Sequence, residues 1–567
     1  MKALIFFLTP LLISTSVLIS CSKDQPPAKN NDNNDTDSLD QSTDTDTNTD
    51  TDTNTDTDTI PKALTIESVK APDEFTVTLT LSGGPIPNNI SDLSSFSITS
   101  DVGALKIKSI KFDSVSTTIT LTTDKQKLGI NYTVEFSPSN GEALLDDFLS
   151  ADTAMFWVAD FSSTDIAKQT QVIATREAIG KYSVAYVDQE TNATGVKESL
   201  DHFDNKVYPI ESDLFTTPPD IDGNGKIVIL GLNSNGYYGG YFYPVNAYPD
   251  DTTWKNWKIH SNEMEIIHIA VDYGDFDTTH NIVPHEYQHL LNEKQHPFSE
   301  WTYHNEGLSE CAVLAVNGAY KQVINYYFSD YNKKISKGEI SLIDWGYADY
   351  DYYAVAFMFW TYYIGQLSGI DTLSDIFHID DGSPDTVDKM IKGSLGLNFG
   401  ELQLNELLAT WIKNNDGVYS YNGVIDIPNK LPPHMTSTKT SMNLKPFAGT
   451  LFVTDQDEVD YPGTQGEHII YAGITADDNA DTEAPFETTG KAFAAYNSYF
   501  EYKDFKTEPT GALPMPNMTH EPVLAQPANV KIPQTWRNPP PFNPNNPEPF
   551  LRWKGATEAR MAINSKR

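Results

Sequence analysis

His285-Glu286-Tyr287-Gln288-His289 places two imidazoles four residues apart, with a carboxylate directly after the first. On a helix, positions i and i+4 share a face, so both imidazoles can point at one metal ion. Glu286 lies about 100° round the helix from His285, beside such an ion rather than on it. Two imidazole ligands next to a carboxylate general base are what metal-assisted hydrolysis requires. A catalytic zinc takes three protein ligands and keeps a fourth position for water, so the pair needs a partner from elsewhere in the chain.

Glu293, His296, Glu300, His304, Glu306 and Glu310 are the nearby candidates for that third ligand. Glu306 leads. The stretch Asn305-Glu306-Gly307-Leu308-Ser309-Glu310 runs into Cys311-Ala312-Val313-Leu314-Ala315, an apolar helix that can pack beside the motif helix and present a carboxylate. Glu310, one turn further on the same face, can accept the free N–H of a ligand histidine, the outer support that metal-bound imidazoles need. His304 and Glu310 remain alternatives for the ligand itself.

The elements around these residues alternate in type. An amphipathic helix is expected over 162–178, a strand over 182–187, and a helix over 196–207 with Val196, Leu200, Phe203 and Val207 on one stripe. Strands follow over 227–230 and 266–272. The motif helix begins just before His285, and strongly apolar helices follow over 353–367 and 402–412. The aromatic, glycine-rich residues 236–242 are either a substrate-contacting loop or a packed turn.

Asp220, Asp222 and Asn224 stand at positions 1, 3 and 5 of a calcium-loop pattern, with Gly225 at position 6. Position 12 is Gly231, where that pattern wants a bidentate Glu. The segment therefore reads first as an Asp/Gly turn before a strand, with Ca²⁺ binding as the alternative.

Toward the N-terminus, Lys2 precedes a mainly apolar run to Ile19, a secretory signal over 1–20. Leu18-Ile19-Ser20-Cys21 resembles a bacterial lipobox, which implies cleavage before Cys21 and lipidation of that cysteine. Residues 21–62 form an anchor and tether: Ser22 to Lys62 carries eleven Asp against three Lys, with an Asp/Thr/Asn repeat from Thr43 to Thr59, a composition that stays disordered. Over 63–158, alternation at Phe75-Val77-Leu79-Leu81, Phe96-Ile98, Leu105-Ile107, Ile119-Leu121 and Tyr132-Val134-Phe136 indicates a β-sandwich, and the set resembles a bacterial immunoglobulin-like domain. Residues 431–567 return to short strand-like runs and end in a proline-rich stretch.

The chain has 567 residues, enough for several domains, and 39 Lys+Arg against 78 Asp+Glu, a formal net charge of −39. That balance argues against nucleic acid as a partner, because phosphate contacts need clustered cations, and favours a soluble monomer. Cys21 and Cys311 are the only cysteines, so there is no disulfide framework. No segment after the signal has 18 apolar residues in a row, so no transmembrane helix is expected.

His-Glu-Tyr-Gln-His-Leu-Leu-Asn, with Trp301 ahead of Asn305-Glu306-Gly307, resembles the gluzincin metallopeptidases and, more narrowly, the hyicolysin family of secreted bacterial peptidases. The likeness runs from about Asp165 to Tyr421. It implies an α+β zincin-like metallopeptidase domain over 159–430; the immunoglobulin-like sandwich and the C-terminal β-rich domain expected on either side lie outside the likeness. It also implies zinc on His285, His289 and Glu306, with Glu286 as general base for peptide-bond hydrolysis. Gluzincins stabilise the oxyanion with a Tyr or His. Tyr353 takes that role by its place in the downstream helix, with Tyr352, Tyr303 and His304 as rivals. The expected protein is thus an exported, membrane-anchored endopeptidase acting on protein or peptide. An adhesion lipoprotein with an inactive peptidase fold and an aminopeptidase are the alternatives.

Overall fold

The computed structural model describes residues 62–506, apart from 162–167, 192–194, 236–237, 251–258, 273–278, 298–300, 319, 330–334, 336–339, 344, 346–349, 429–434, 437–446, 455–469, 476–488 and 497–498. The signal, Cys21 and the acidic tether, Glu300 and the proline-rich tail lie outside the described residues.

The first described region holds β1 (Thr65–Asp73), β2 (Thr76–Ser82), β3 (Phe96–Ser100), β4 (Gly103–Ala104), β5 (Ile107–Asp113), β6 (Thr118–Thr123), β7 (Asn131–Phe136) and β8 (Leu144–Leu149). They form two antiparallel sheets, ordered β1-β2-β6-β5 and β4-β3-β7-β8. Alternate side chains of both sheets meet in one core: Val77, Leu79 and Leu81 from β2, Ile119 and Leu121 from β6, Ile98 from β3, Val134 and Phe136 from β7. This is the outcome period-two patterning dictates when each sheet has one wet face.

The middle region is built on a six-stranded sheet, ordered β13-β14-β12-β11-β10-β9. Its members are β9 (Thr153–Ala159), β10 (Gln169–Ile179), β11 (Ser183–Asp188), β12 (Ile227–Leu232), β13 (Gly240–Phe242) and β14 (Ile266–Ala270). Of the helix expected over 162–178, residues 162–167 lie outside the described residues and the rest is overturned: Gln169–Ile179 is a strand, paired antiparallel with β9 on one side and β11 on the other. Its Gln, Arg, Glu and Ala residues favour a helix locally, and the two flanking ladders override that preference.

β11, β12 and β14 run parallel and are buried on both faces. Their side chains split by parity. Ala185, Val187, Ile227, Ile229, Ile267 and Ile269 join the helical core, while Val184, Tyr186, Val228, Leu230, Ile266 and Ala270 join a second core on the opposite face. Continuous apolar runs, rather than alternation, are the signature of such doubly covered strands.

The helical layer comprises α1 (Val196–His202), α2 (Tyr208–Leu214), α3 (Ile282–Gln295), α4 (Thr302–Asn317), α5 (Lys321–Tyr327), α6 (Tyr350–Gly365), α7 (Leu373–Phe377), α8 (Pro384–Leu395) and α9 (Phe399–Ile412). Pro284 sits in the first turn of α3, where a missing N–H costs no helical bond. α3 packs on α4, and α4 on α6. Gly307 makes the second contact possible, since a Cβ there would collide with the indole of Trp360. Beyond α9, β15 (Met435–Thr436), β16 (Gly449–Thr454), β17 (Ile470–Thr475), β18 (Thr489–Tyr496) and β19 (Tyr499–Lys506) form a five-stranded sheet in that order, against which α9 lies. The architecture is α+β with several regions. Among the described residues no helix is long and apolar enough to cross a membrane.

Candidate metal centre

α3 is an unusual helix by burial. Glu286, Gln288, His289, Asn292 and Glu293 are all buried together with its apolar residues. Burying polar side chains costs free energy unless each finds a partner, and here each does. A backbone N–H of Phe242 on β13 donates to Glu286. Ser309 donates to Gln288. Asn305 Oδ1 lies 2.8 Å from His289 Nδ1 and accepts from Asn292 Nδ2 at 3.0 Å. The Tyr248 hydroxyl donates to Glu293 at 2.9 Å. A polar seam buried this deeply breaks the usual rule for a core helix, with Gln288 Nε2 and Asn292 Oδ1 left bare among the described residues, and such departures mark functional sites.

The structure brings His285, His289 and Glu306 to one point. His285 Nε2 and His289 Nε2 are 3.2 Å apart. Glu306 Oε2 is 3.2 Å from the first and 3.4 Å from the second. Tetrahedral zinc with bonds of about 2.0–2.1 Å separates its ligand atoms by about 3.3 Å, so these three atoms have the spacing that one such ion requires. Glu306 Oε2 is also buried without a hydrogen-bond partner among the described residues. Two imidazoles and one carboxylate form a donor set that zinc accepts.

The electrostatics point the same way. Burial disfavours charge on His285, yet close contact with Glu306 and Glu310 raises its pKa well above the ordinary value. His289 is likewise opposed by burial and raised by Glu306. Burial would push Glu306 up, but His289 and His285 bring it down to about 2. The centre attracts positive charge, while two protonated imidazoles 3.2 Å apart would repel each other. One dication meets both demands.

Outer partners hold the imidazoles. Glu310 Oε1 lies 3.4 Å from His285 Nδ1. Asn305 and Ser309 both approach His289 Nδ1, at 2.8 and 3.1 Å. A nitrogen that donates at Nδ1 leaves its Nε2 lone pair free for a metal. Asn305 received no role from sequence reasoning, although it belongs to the same Asn-Glu-Gly motif; the signal was its adjacency to Glu306.

Glu286 is 6% exposed, and burial raises its pKa although His285 and His289 oppose the rise. β13, read from sequence as part of an aromatic loop or turn, is the terminal strand of its sheet among the described residues and abuts α3. Gly240 permits this approach, because a Cβ there would strike Ile282 and meet the His268 carbonyl oxygen at 2.9 Å.

Tyr353 lies on α6 with its ring 6.1 Å from that of His285 and 5.1 Å from Trp345. Burial, reinforced by the charges of Glu306, Glu310 and Glu286, raises its pKa well above 10, so the hydroxyl stays a donor. The rivals have other neighbours, though Tyr352 shares Trp345 with Tyr353. Tyr303 stacks on Trp360 and His304 Nε2 lies 3.2 Å from the Ile376 carbonyl, while Tyr352 packs on Trp345. Of the other ligand candidates, His296 Nε2 lies 2.7 Å from the Phe377 carbonyl and Glu293 accepts from Tyr248.

A second cluster gathers one carboxylate oxygen each from Asp220, Asp222 and Glu265 within 4.8 Å. Asn224, expected beside the two aspartates, lies against Asp222, to which its backbone N–H and its amide both donate. Its Oδ1 accepts from the Lys226 N–H at 2.6 Å and its Nδ2 donates to Asp222 and to the Leu128 carbonyl, which ties up the amide in the turn. Burial, before any neighbour, raises Asp222 to about 6 and Glu265 to about 7.

No protein-family model matches the chain. The similarity that does exist is to metalloproteases. One relative is neutral metalloprotease ShpI of Staphylococcus hyicus, 25% identical over 302 residues, which cover 48% of this chain and 66% of that protein. The chain thus spans just under two thirds of that relative's length. Among solved structures, the N-terminal part of the bacterial S-layer protein SbsC is 23% identical with a TM-score of 0.15, covering 20% of this chain and 31% of that one. The Group B Streptococcus pullulanase SAP is 11% identical with a TM-score of 0.13, covering 22% and 23%. At those TM-scores neither carries an argument about the fold.

Proposed function

We propose that the chain is a zinc-dependent endopeptidase, exported and anchored to a membrane through a lipid on Cys21. The observation that carries the catalytic part is the convergence of His285 Nε2, His289 Nε2 and Glu306 Oε2 at 3.2–3.4 Å, with Glu286 alongside. The similarity to a neutral metalloprotease supports it. The anchor rests on Leu18-Ile19-Ser20-Cys21 following an apolar run.

His285, His289 and Glu306 would hold the metal. Zinc bound there supplies an acidified water and polarises the scissile carbonyl. Glu286 takes the proton of the attacking water and returns it to the leaving nitrogen; its raised pKa suits both halves of that transfer. The Phe242 N–H fixes the Glu286 carboxylate while it does so. Tyr353 donates its hydroxyl to the oxygen on which charge develops. The outer edge of β13 offers backbone groups beside Glu286, and an extended peptide laid along it would bring a carbonyl to the site. Asn305 and Glu310 hold the two imidazoles in register.

Casein hydrolysis by the wild type and by Glu286→Gln tests this reading. It expects chelator-sensitive activity in the first and loss in the second at equal zinc content. Retained hydrolysis in Glu286→Gln would sink the mechanism. Peptides blocked at the amino end should be cut as readily as free ones, since an aminopeptidase would reject them.

A further inference from the structure

We propose that Asp220, Asp222 and Glu265 form a calcium site that ties together the chain entering β12 and the chain entering β14. None of the three belongs to the zinc centre, and the inference stands whether or not the chain is a peptidase.

Asp220 and Asp222 lie in the turn before β12, and Glu265 immediately precedes β14, the adjacent parallel strand. Glu265 is only 2% exposed. Its Oε1 accepts the Ile221 N–H, while its Oε2 is buried with no hydrogen-bond partner among the described residues. A buried carboxylate oxygen left bare is costly, and it sits in a carboxylate that converges on two others.

Backbone groups fix the aspartates, joined at Asp222 Oδ2 by the Asn224 side-chain amide at 2.9 Å. Asp220 Oδ1 accepts the Gly225 N–H at 2.9 Å, and Asp222 Oδ1 accepts the Asn224 N–H at 3.1 Å. Lys127, whose charge bears on Asp222, donates to the Gly223 carbonyl at 3.0 Å. Among the described residues no Lys or Arg forms an ion pair with any of the three carboxylates. Three carboxyl groups are therefore held together with no Lys or Arg ion-paired to them among the described residues.

The donors are oxygen only, which selects a hard cation and disfavours zinc. Calcium bonds of about 2.3–2.6 Å span about 4.6–5.2 Å across the ion, and the three oxygens fit inside that sphere at 4.8 Å or less. Calcium also accepts the irregular geometry of loop carboxylates, whereas magnesium demands a near-ideal octahedron. The ion would bridge two segments otherwise joined by the Ile221–Glu265 and Val228–Glu265 hydrogen bonds. It would also brace the turn against the β6–β7 loop of the N-terminal sheets, through Lys127 and Leu128.

The test uses the full chain, stripped with chelator and reloaded with one equivalent of zinc, then titrated with CaCl₂ while thermal unfolding is followed. A saturable rise in Tm of about 5 °C is expected. Glu265→Gln and Asp222→Asn should each lose it. Calcium held loosely by the Asp/Thr-rich segment is common to all these chains and cancels in the comparison. No rise in wild type up to ~10 mM Ca²⁺, or an unchanged rise in Glu265→Gln, overturns the site. An equal response to MgCl₂ overturns the choice of calcium. If Glu265→Gln fails to fold, Asp220→Asn at the exposed ligand decides: loss of the rise supports the site, and its retention overturns it.

Discussion

Two clusters in this molecule converge on a point, and they differ in every respect that chooses a metal. At His285, His289 and Glu306 two nitrogens and one oxygen stand 3.2–3.4 Å apart, all on helices and supported by Asn305, Ser309 and Glu310. At Asp220, Asp222 and Glu265 three oxygens lie within a looser 4.8 Å, on chain segments leading into strands, and the support is backbone N–H groups. The first is tight, has the buried carboxylate of Glu286 beside it, the base of the proposed mechanism, and borders the β13 strand. The second gathers carboxylate oxygens alone among the described residues, the set proposed above to hold a cation. A donor set selects the ion, and the groups around it decide whether the ion does chemistry or holds the chain in place.

The largest effect that would sharpen this contrast is on turnover. Glu286→Gln should lower kcat/KM on casein-derived peptides by roughly 10³-fold or more, with zinc content unchanged. Glu265→Gln, assayed in saturating calcium at 25 °C, should stay within a few-fold of wild type. Equal losses in both would collapse the distinction. Next comes Tyr353→Phe, expected to cost about 10²-fold in kcat with KM little changed. A change confined to KM would mean that Tyr353 binds substrate rather than stabilising charge. Asn305→Ala should weaken zinc binding by about 10–100-fold, measured by competition with a chromophoric chelator. An unaltered affinity would remove Asn305 from the support of His289. Smallest is the loss of the calcium-dependent rise of about 5 °C in Glu265→Gln.

The same contrast explains what could be read from the sequence. The two histidines and Glu286 were legible because helical geometry relates positions four apart without any tertiary knowledge. Glu306 could be ranked but not isolated, since His304 and Glu310 share its helix and only packing against α3 separates them. Asn305 was invisible as a partner, because its role depends on which way α4 turns toward His289. Asp220 and Asp222 were legible as a turn, yet the third carboxylate lies in a segment 44 residues beyond Ile221 and meets it only through parallel strand pairing. Sequence spacing pointed to Asn224 instead, whose amide closes its own turn.

The fold divides along the same line. Alternation foretold the strands of the N-terminal sheets, and unbroken apolar runs foretold β12 and β14. β10 was misread because Gln169–Ile179 mixes helix formers (Gln, Ala, Arg, Glu) with β-branched residues and is held extended by β9 and β11. β13, three residues long, carries too little pattern to be recognised, although it lies against the motif helix and supplies the Phe242 N–H to Glu286.

Zinc content tests the central claim most directly. After gel filtration, wild type, Glu286→Gln and Glu265→Gln should each carry one zinc per chain by mass spectrometry of the metal, while His285→Ala and Glu306→Ala carry almost none. A full equivalent of zinc in Glu306→Ala, or none in the wild type, would contradict the three-residue centre on which the rest depends.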